Sequence, residues 1–218
     1  MKHFFSTSLI SIACIICMQC NSQKEIFSPD KPLISLRAGG SWGGVVEETT
    51  VDGISGATNL SWHTGAHVEF YFNRNSIESG LDFIQYRQQI SYNIPANQME
   101  GRLDLNLSEL RVPLTYNFRL LSSPVNENLL NLKLGVSAGF LVGEDAGISG
   151  TVPEYSVSGS NFGPTFGLSS TPVLLNNKQK LGLYIDFYRG SKVFDDMFHD
   201  ASDTGGFSNL KFGLSFTF

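Results

Sequence analysis

Beyond residue 20 the chain has no cysteine; Cys14, Cys17 and Cys20 all lie near the start of its 218 residues. A mature chain lacking them can hold neither disulfides nor thiolate metal sites. Charge is scarce as well, at 16% of residues against roughly 25% in an ordinary soluble domain. Cations are the rarer sign, with Lys+Arg 15 against Asp+Glu 20 and a net charge of -5, so the basic footprint of nucleic-acid binding is missing. After residue 22 no apolar run approaches 18 residues, which excludes a spanning helix. Gly-rich phosphate loops, paired metal histidines and a serine elbow are also absent, and no cofactor or metal is expected.

What is present begins with an address. Met1-Lys2-His3 is a short basic start to an apolar stretch from Phe4 to Met18, interrupted by Ser6, Thr7, Ser8 and Ser11. Its length and polarity predict a secretory signal over residues 1–22. Two processing routes compete. Cys20-Asn21-Ser22 places small side chains ahead of a cut before Gln23; lipidation of Cys14, Cys17 or Cys20 is the alternative, but the residues before each fit that signal poorly. A periplasmic segment over 23–31 and one domain over 32–218 would follow.

The rest of the chain alternates with period two, as half-exposed strands do. The last segment is the cleanest: Leu210, Phe212, Leu214, Phe216 and Phe218 point one way, and Asn209, Lys211, Gly213, Ser215 and Thr217 the other. Seven further segments alternate in the same way, around Ile34–Ala38, Ala66–Phe72, Gly80–Phe83, Leu110–Phe118, Leu130–Phe140, Phe162–Leu168 and Leu181–Phe187. Short turns near residues 73–75, 122–128 and 176–179 interleave with long connections near 43–63, 88–104, 143–161 and 190–208. Short turns on one rim and long loops on the other is the layout of an outer-membrane barrel. The expected fold is therefore all-β, an eight-stranded antiparallel up-and-down transmembrane β-barrel.

Alternation alone also fits a soluble lipocalin-like barrel with its apolar face inward. The signal segment, the acidic long loops and a last strand ending on Phe-Thr-Phe favour the membrane form, and Phe212, Leu214, Phe216 and Phe218 then form a C-terminal assembly signal. The polar face, turned inward, would hold Arg37, Arg111, Arg119, Lys133 and Lys211 against Glu69, Glu78, Asp82, Glu109 and Asp186. An eight-stranded interior is just wide enough for its own side chains, so these charges are expected to pair as a structural network, with glycines making room for them.

The long loops carry Glu47, Glu48, Asp52, Glu100, Asp104, Glu144, Asp145, Glu154, Asp195, Asp196, Asp200 and Asp203, against Arg102 and Lys192. This reads as an acidic, solvated outer rim without an ordered metal-ligand spacing. Trp42, Trp62, Tyr92, Tyr116, Tyr188 and Phe194 are expected to anchor strand ends at the membrane interface. His63 and His199 lie in or beside outer loops and His67 points inward with Glu69, without a spacing that demands catalysis.

With the strands placed, Leu107 to Phe118 (Leu-Ser-Glu-Leu-Arg-Val-Pro-Leu-Thr-Tyr-Asn-Phe) resembles the fourth strand of the PorT-like outer-membrane β-barrel domain family of Bacteroidota-type bacteria. The Gly- and Ala-rich Leu132–Phe140 and the Phe162–Leu168 segment resemble the strands that follow in that family, and the likeness covers about residues 32–218. It implies the fold and says little about activity. Pro113 inside a strand predicts a bulge or local distortion. The expectation is a non-enzymatic, monomeric protein of the cell outer membrane with a structural or surface-interaction role and a plugged interior. Its partners would be outer-membrane lipid and lipopolysaccharide, the barrel assembly machinery and periplasmic chaperones, with no nucleic acid. A lipid A-modifying enzyme and a small-solute channel are the alternatives.

Overall fold

A computed structural model describes residues 32–44, 52–72, 75–122, 129–175, 179–191, 193–196, 198 and 207–218. The signal segment, residues 23–31, the three cysteines, Glu47, Glu48, Lys192, His199, Asp200 and Asp203 lie outside them. The described chain is almost entirely antiparallel strand: β1 (Leu33–Gly44), β2 (Ile54–Asn59), β3 (Ser61–Phe72), β4 (Asn75–Ile94), β5 (Met99–Leu121), β6 (Leu130–Gly150), β7 (Tyr155–Val157), β8 (Ser160–Leu175), β9 (Gln179–Arg189), β10 (Phe194–Asp196) and β11 (Ser208–Thr217).

The main sheet runs β2-β4-β3-β1-β11-β9-β8-β6-β5, and β4 also pairs with β5. That last pairing carries the ladder from one end of the order back to the other, so eight strands form a circuit and β2 is an added strand beside β4. The first and last strands meet in it, with Ser35 opposite Thr217 and Gly44 opposite Ser208. Phe218 extends the register by donating its N–H to the Ile34 carbonyl at 3.0 Å.

One part of the expected layout is corrected. The connections near 88–104 and 143–161 are largely strand: β4 runs to Ile94 and β5 starts at Met99 after one 3-10 turn, while β6 continues to Gly150. Their backbone groups find partners by prolonging the ladder, Ile94 opposite Met99 and Gly101 opposite Gly150, where an irregular loop would have to leave them to water. Of the two forms of distortion expected at Pro113, the strand shows an interruption: the β4–β5 pairing skips from Ser79–Leu114 to Asp82–Arg111 in unchanged register. The Ser79 hydroxyl donates to the Pro113 carbonyl at 2.9 Å. The true register shift in this region lies between Ser108 and Glu109, where Glu109 faces Leu141 but Ser108 faces Gly143.

Burial assigns the faces. Ile34, Leu36, Phe70, Leu114, Leu134, Phe166, Leu183 and Leu214 are exposed, while Arg37, Glu78, Asp82, Arg111, Lys133, Asp186 and Lys211 are buried. A soluble barrel would reverse these two sets, so the lipocalin-like alternative does not describe this chain.

Candidate functional site: a charge network beneath an apolar plug

The interior has two storeys, and the change of storey is written along single strands. On β5 the inward residues are Leu103, Leu105 and Leu107, then Glu109, Arg111, Pro113, Thr115 and Asn117, all buried. Outward, Arg102, Asp104, Asn106 and Ser108 give way to Leu110, Val112, Leu114, Tyr116 and Phe118. The alternation slips phase, so polar-out becomes apolar-out. β4 slips at the same height: Phe83 lies opposite Leu110 and Ile84 opposite Glu109. Beneath that level the outward apolar residues of β5 cover Leu110–Phe118, close to the 9–11 residues with which a tilted strand crosses hydrocarbon. Above it, β4, β5 and β6 stand clear of the apolar belt.

In the lower storey Glu78 is the hub. Its carboxylate accepts both Arg37 guanidinium nitrogens, at 2.7 and 2.6 Å, and lies 2.9 Å from Lys133 Nζ. His67 bridges two carboxylates, with Nδ1 3.3 Å from Glu78 and Nε2 2.9 Å from Asp82. Asp82 also pairs with Lys211, and Asp186 takes Lys133 at 3.3 Å and Arg37 at 4.0 Å. These charges come from β1, β3, β4, β6, β9 and β11, so the network ties together strands distant along the chain. Burying ions costs several kcal/mol each unless they are paired and hydrogen-bonded, and here each is held by at least one opposite charge.

A second group joins the two storeys. Arg111 donates to Glu109 at 2.7 Å, to the Tyr86 hydroxyl at 2.7 Å and to Asn209 at 3.2 Å. Its guanidinium carbon lies 3.8 Å from the Tyr188 ring centroid, a geometry that adds cation–π attraction. Glu69, near the other end, is only half-buried; its carboxylate accepts Ser76 Oγ and Asn117 Nδ2, the latter at 3.0 Å. Arg119 is also half-buried, and its Nε has no hydrogen-bond partner among the described residues. Glycines create the space: a Cβ on Gly65 would stand 2.1 Å from Asp82 Oδ1, and one on Gly167 2.3 Å from Asp186 Oδ1.

In the upper storey Ile84, Tyr86, Ile90, Tyr92, Leu103, Leu105, Leu107, Tyr188, Val193, Phe194 and Phe207 form one apolar cluster across the long-connection end. β10 lies over it, paired with β7, and Phe194 stacks on Tyr155 at 5.8 Å. The Tyr92 hydroxyl donates to Asp196 at 2.7 Å, fastening β10 to β4. The aromatic expectations therefore divide. Trp42, Trp62 and Tyr116 are exposed on the outer face, whereas Tyr92, Tyr188 and Phe194 are 1% exposed and belong to the plug. On β4 the phase slip turns Tyr92 inward; Tyr188 continues the unbroken inward row of β9 with Tyr184 and Asp186, and Phe194 belongs to β10.

Tyr92 sits well above the apolar belt. Burial, and after it the bond to Asp196, raise its hydroxyl pKa above the ordinary 10.0. Because the folded value is the higher one, this contribution is whole below pH 10 and declines as pH rises through the folded value. Tyr92→Phe is expected to lose about 0.5–1.5 kcal/mol. Limited proteolysis near residues 190–196 should accelerate while the strand circuit keeps its thermal stability.

Among the described residues no group of three or more His, Cys, Asp and Glu is arranged to hold a metal ion. His67 with Glu78 and Asp82 has the composition of an acid–base group, but these residues are 3%, 2% and 0% exposed and sealed among strands.

An antiparallel sheet with aliphatics outside and paired charges within has the construction of outer-membrane β-proteins. No family model matches this chain, and no curated protein does. Among solved structures it is similar to the outer membrane protein OprG from Pseudomonas aeruginosa, at 12% identity over 85% of this chain and 95% of that one, with a TM-score of 0.49. Neisserial surface protein A is 12% identical over 85% and 95% of the two chains, with a TM-score of 0.42. Ail, the attachment invasion locus protein of Yersinia pestis, solved with the heparin analogue sucrose octasulfate, is 12% identical over 86% and 97%, with a TM-score of 0.38. Similarity at this level carries no functional argument.

Proposed function

We propose that the chain is a closed, non-conducting eight-stranded barrel of the cell outer membrane whose projecting hairpins serve a structural or surface-interaction role. The observation that carries this reading is the apolar plug seated on a charge-paired interior. A permeation path needs polar, hydrated walls and a surplus of one sign or a wider ring; here cations and carboxylates neutralise each other and Leu103, Leu105, Leu107 and Phe194 close the end above them. The exposed apolar belt meets lipid, and the ends of β1 and β11 near Leu33 and Thr217 face the periplasm.

The finer assignments belong to the same proposal. The likeness of Leu107–Phe118 to the PorT-like family supports a barrel and assigns no activity. Phe212, Leu214, Phe216 and Phe218 share the lipid-facing side of β11 and would be read by the assembly machinery. The projecting end displays Glu100, Asp104, Glu144, Asp145 and Glu154 to the medium. The lipid A-modifying alternative is not favoured here: His63 is 1% exposed and bonded to the Tyr184 hydroxyl, and the His67 group is sealed among strands, while His199 lies outside the described residues.

Planar-bilayer recording on folded, full-length protein tests the reading. A flat baseline is expected under either polarity; stepwise conductance would contradict it and restore the channel alternative.

A further inference from the structure

The level at which the faces exchange has an outward side as well as an inward one. There the β5–β6 pairing shifts register by one residue, and a depression of about 540 Å³ lies on the wall, lined by Gln85, Arg87, Asn106, Leu107, Ser108, Gly143, Glu144 and Asp145. The pairings set these residues in two rows, Gln85–Ser108–Gly143 and, one step higher, Arg87–Asn106–Asp145. Directly below runs a third row, Phe83–Leu110–Phe140, which is the top of the lipid-facing belt.

We infer that this depression is a binding site for the phosphorylated sugar headgroup of an outer-leaflet glycolipid, whose acyl chains lie down the Phe83–Leu110–Phe140 row. The inference rests on the membrane placement proposed above, and four features carry it. The site sits at headgroup height, where the outer face turns from apolar to polar. Its donors and acceptors are the Gln85 and Asn106 amides, the Ser108 hydroxyl, the Arg87 guanidinium and the Glu144 and Asp145 carboxylates, all groups that bind sugar hydroxyls. Arg87 makes no ion pair among the described residues, and a guanidinium at a bilayer surface suits a phosphate, which it can grip with two N–H groups. The contrast with Arg102 is informative, since that arginine, farther up the wall, is held by Asp104 at 2.8 Å.

The fourth feature is shape. Gly143 leaves the floor open: a Cβ there would meet only the Ser108 side chain, at 3.4 Å. Gln85 Oε1 is enclosed without a donor, an acceptor that a sugar hydroxyl could satisfy after a modest rotation of the amide. Arg87 and Asp145 stand two strands apart, about 10 Å, flanking Asn106, so a hexose ring laid over Asn106 would reach both. Asp145 would accept from the sugar or share a divalent cation with its phosphate.

The test is native mass spectrometry of the folded full chain released from micelles, titrated with diphosphorylated lipid A, with phosphatidylcholine, and with free glucosamine 1-phosphate. Wild type is expected to bind lipid A at least tenfold more tightly than either of the others. Arg87→Gln and Gly143→Leu should each weaken lipid A binding about tenfold, while Arg102→Gln leaves it within twofold. Lipid A binding that ignores both changes, in variants that still migrate as folded protein, would overturn the site. Glucosamine 1-phosphate binding as tightly as lipid A would overturn the lipid as its ligand. Failure of the chain to insert in membranes would instead strike the placement on which the inference rests, and gel mobility reports that separately.

Discussion

Glu78→Ala is expected to cost the folded protein about 3–5 kcal/mol, the scale on which removing one partner from a buried ion pair destabilises. The substitution withdraws the carboxylate that faces Arg37, Lys133 and His67 at once. Among the described residues Arg37 would keep one carboxylate, Asp186, at 4.0 Å. Glu78→Gln keeps the shape and removes the charge, so it should fall between wild type and Ala. The double change Arg37→Met with Glu78→Leu should recover much of the loss, because an apolar pair of similar bulk needs no counter-ion. Urea unfolding of protein refolded in phospholipid vesicles reads all three. A Glu78→Ala midpoint equal to that of wild type would mean that the interior is wet enough to solvate Arg37, and the structural reading of the network would be wrong.

Leu114→Arg is the second large effect. Leu114 is 53% exposed and lies midway along the apolar outer face of β5. A cation there enters hydrocarbon, which costs about 2–4 kcal/mol at the midplane and about 0–1 near the interface. Phe140→Arg, in the row where the faces exchange, should therefore cost far less although Phe140 is similarly exposed, at 49%. The same vesicle unfolding experiment measures the difference. Equal effects at the two positions would show that no depth gradient exists along this wall, and so no bilayer around it. In an aqueous setting both changes would be mild, since each side chain already faces solvent.

The fold was legible in the sequence where one rule held over a whole segment. Along Leu210–Phe218 and Leu130–Phe140 aliphatic residues alternate with small or charged ones without a break, and both the strands and their faces follow. The inward charges could be read the same way, because Arg37, Glu78, Asp82, Lys133, Asp186 and Lys211 all fall on the side opposite the aliphatics. Their partners could not. That Glu78 collects Arg37 from β1 and Lys133 from β6 depends on strand order and stagger around the circuit, which alternation leaves open.

The upper storey was hidden for a different reason. Leu103, Leu105 and Leu107 alternate as cleanly as Leu110, Val112 and Leu114, but in the opposite phase, and the polarity between them (Asp104, Asn106, Ser108) resembles a loop. Reading the slip at Ser108-Glu109 as a change of solvent, from water outside to lipid outside, accounts for both halves of one strand. The same slip at Phe83-Ile84 would have placed Ile84, Ile90 and Tyr92 inward. The β4 and β5 residues of the plug follow from that one change of phase.

The central claim, a lipid-facing exterior on a closed ring of strands, is tested most directly by gel mobility of full-length protein from isolated outer membranes, run with and without boiling. A closed barrel resists the detergent until heated, so the unboiled sample should migrate faster and the boiled one at the position of the 23.9 kDa chain or its processed form. Identical migration, with the protein recovered in the soluble periplasmic fraction, would contradict the account at its root.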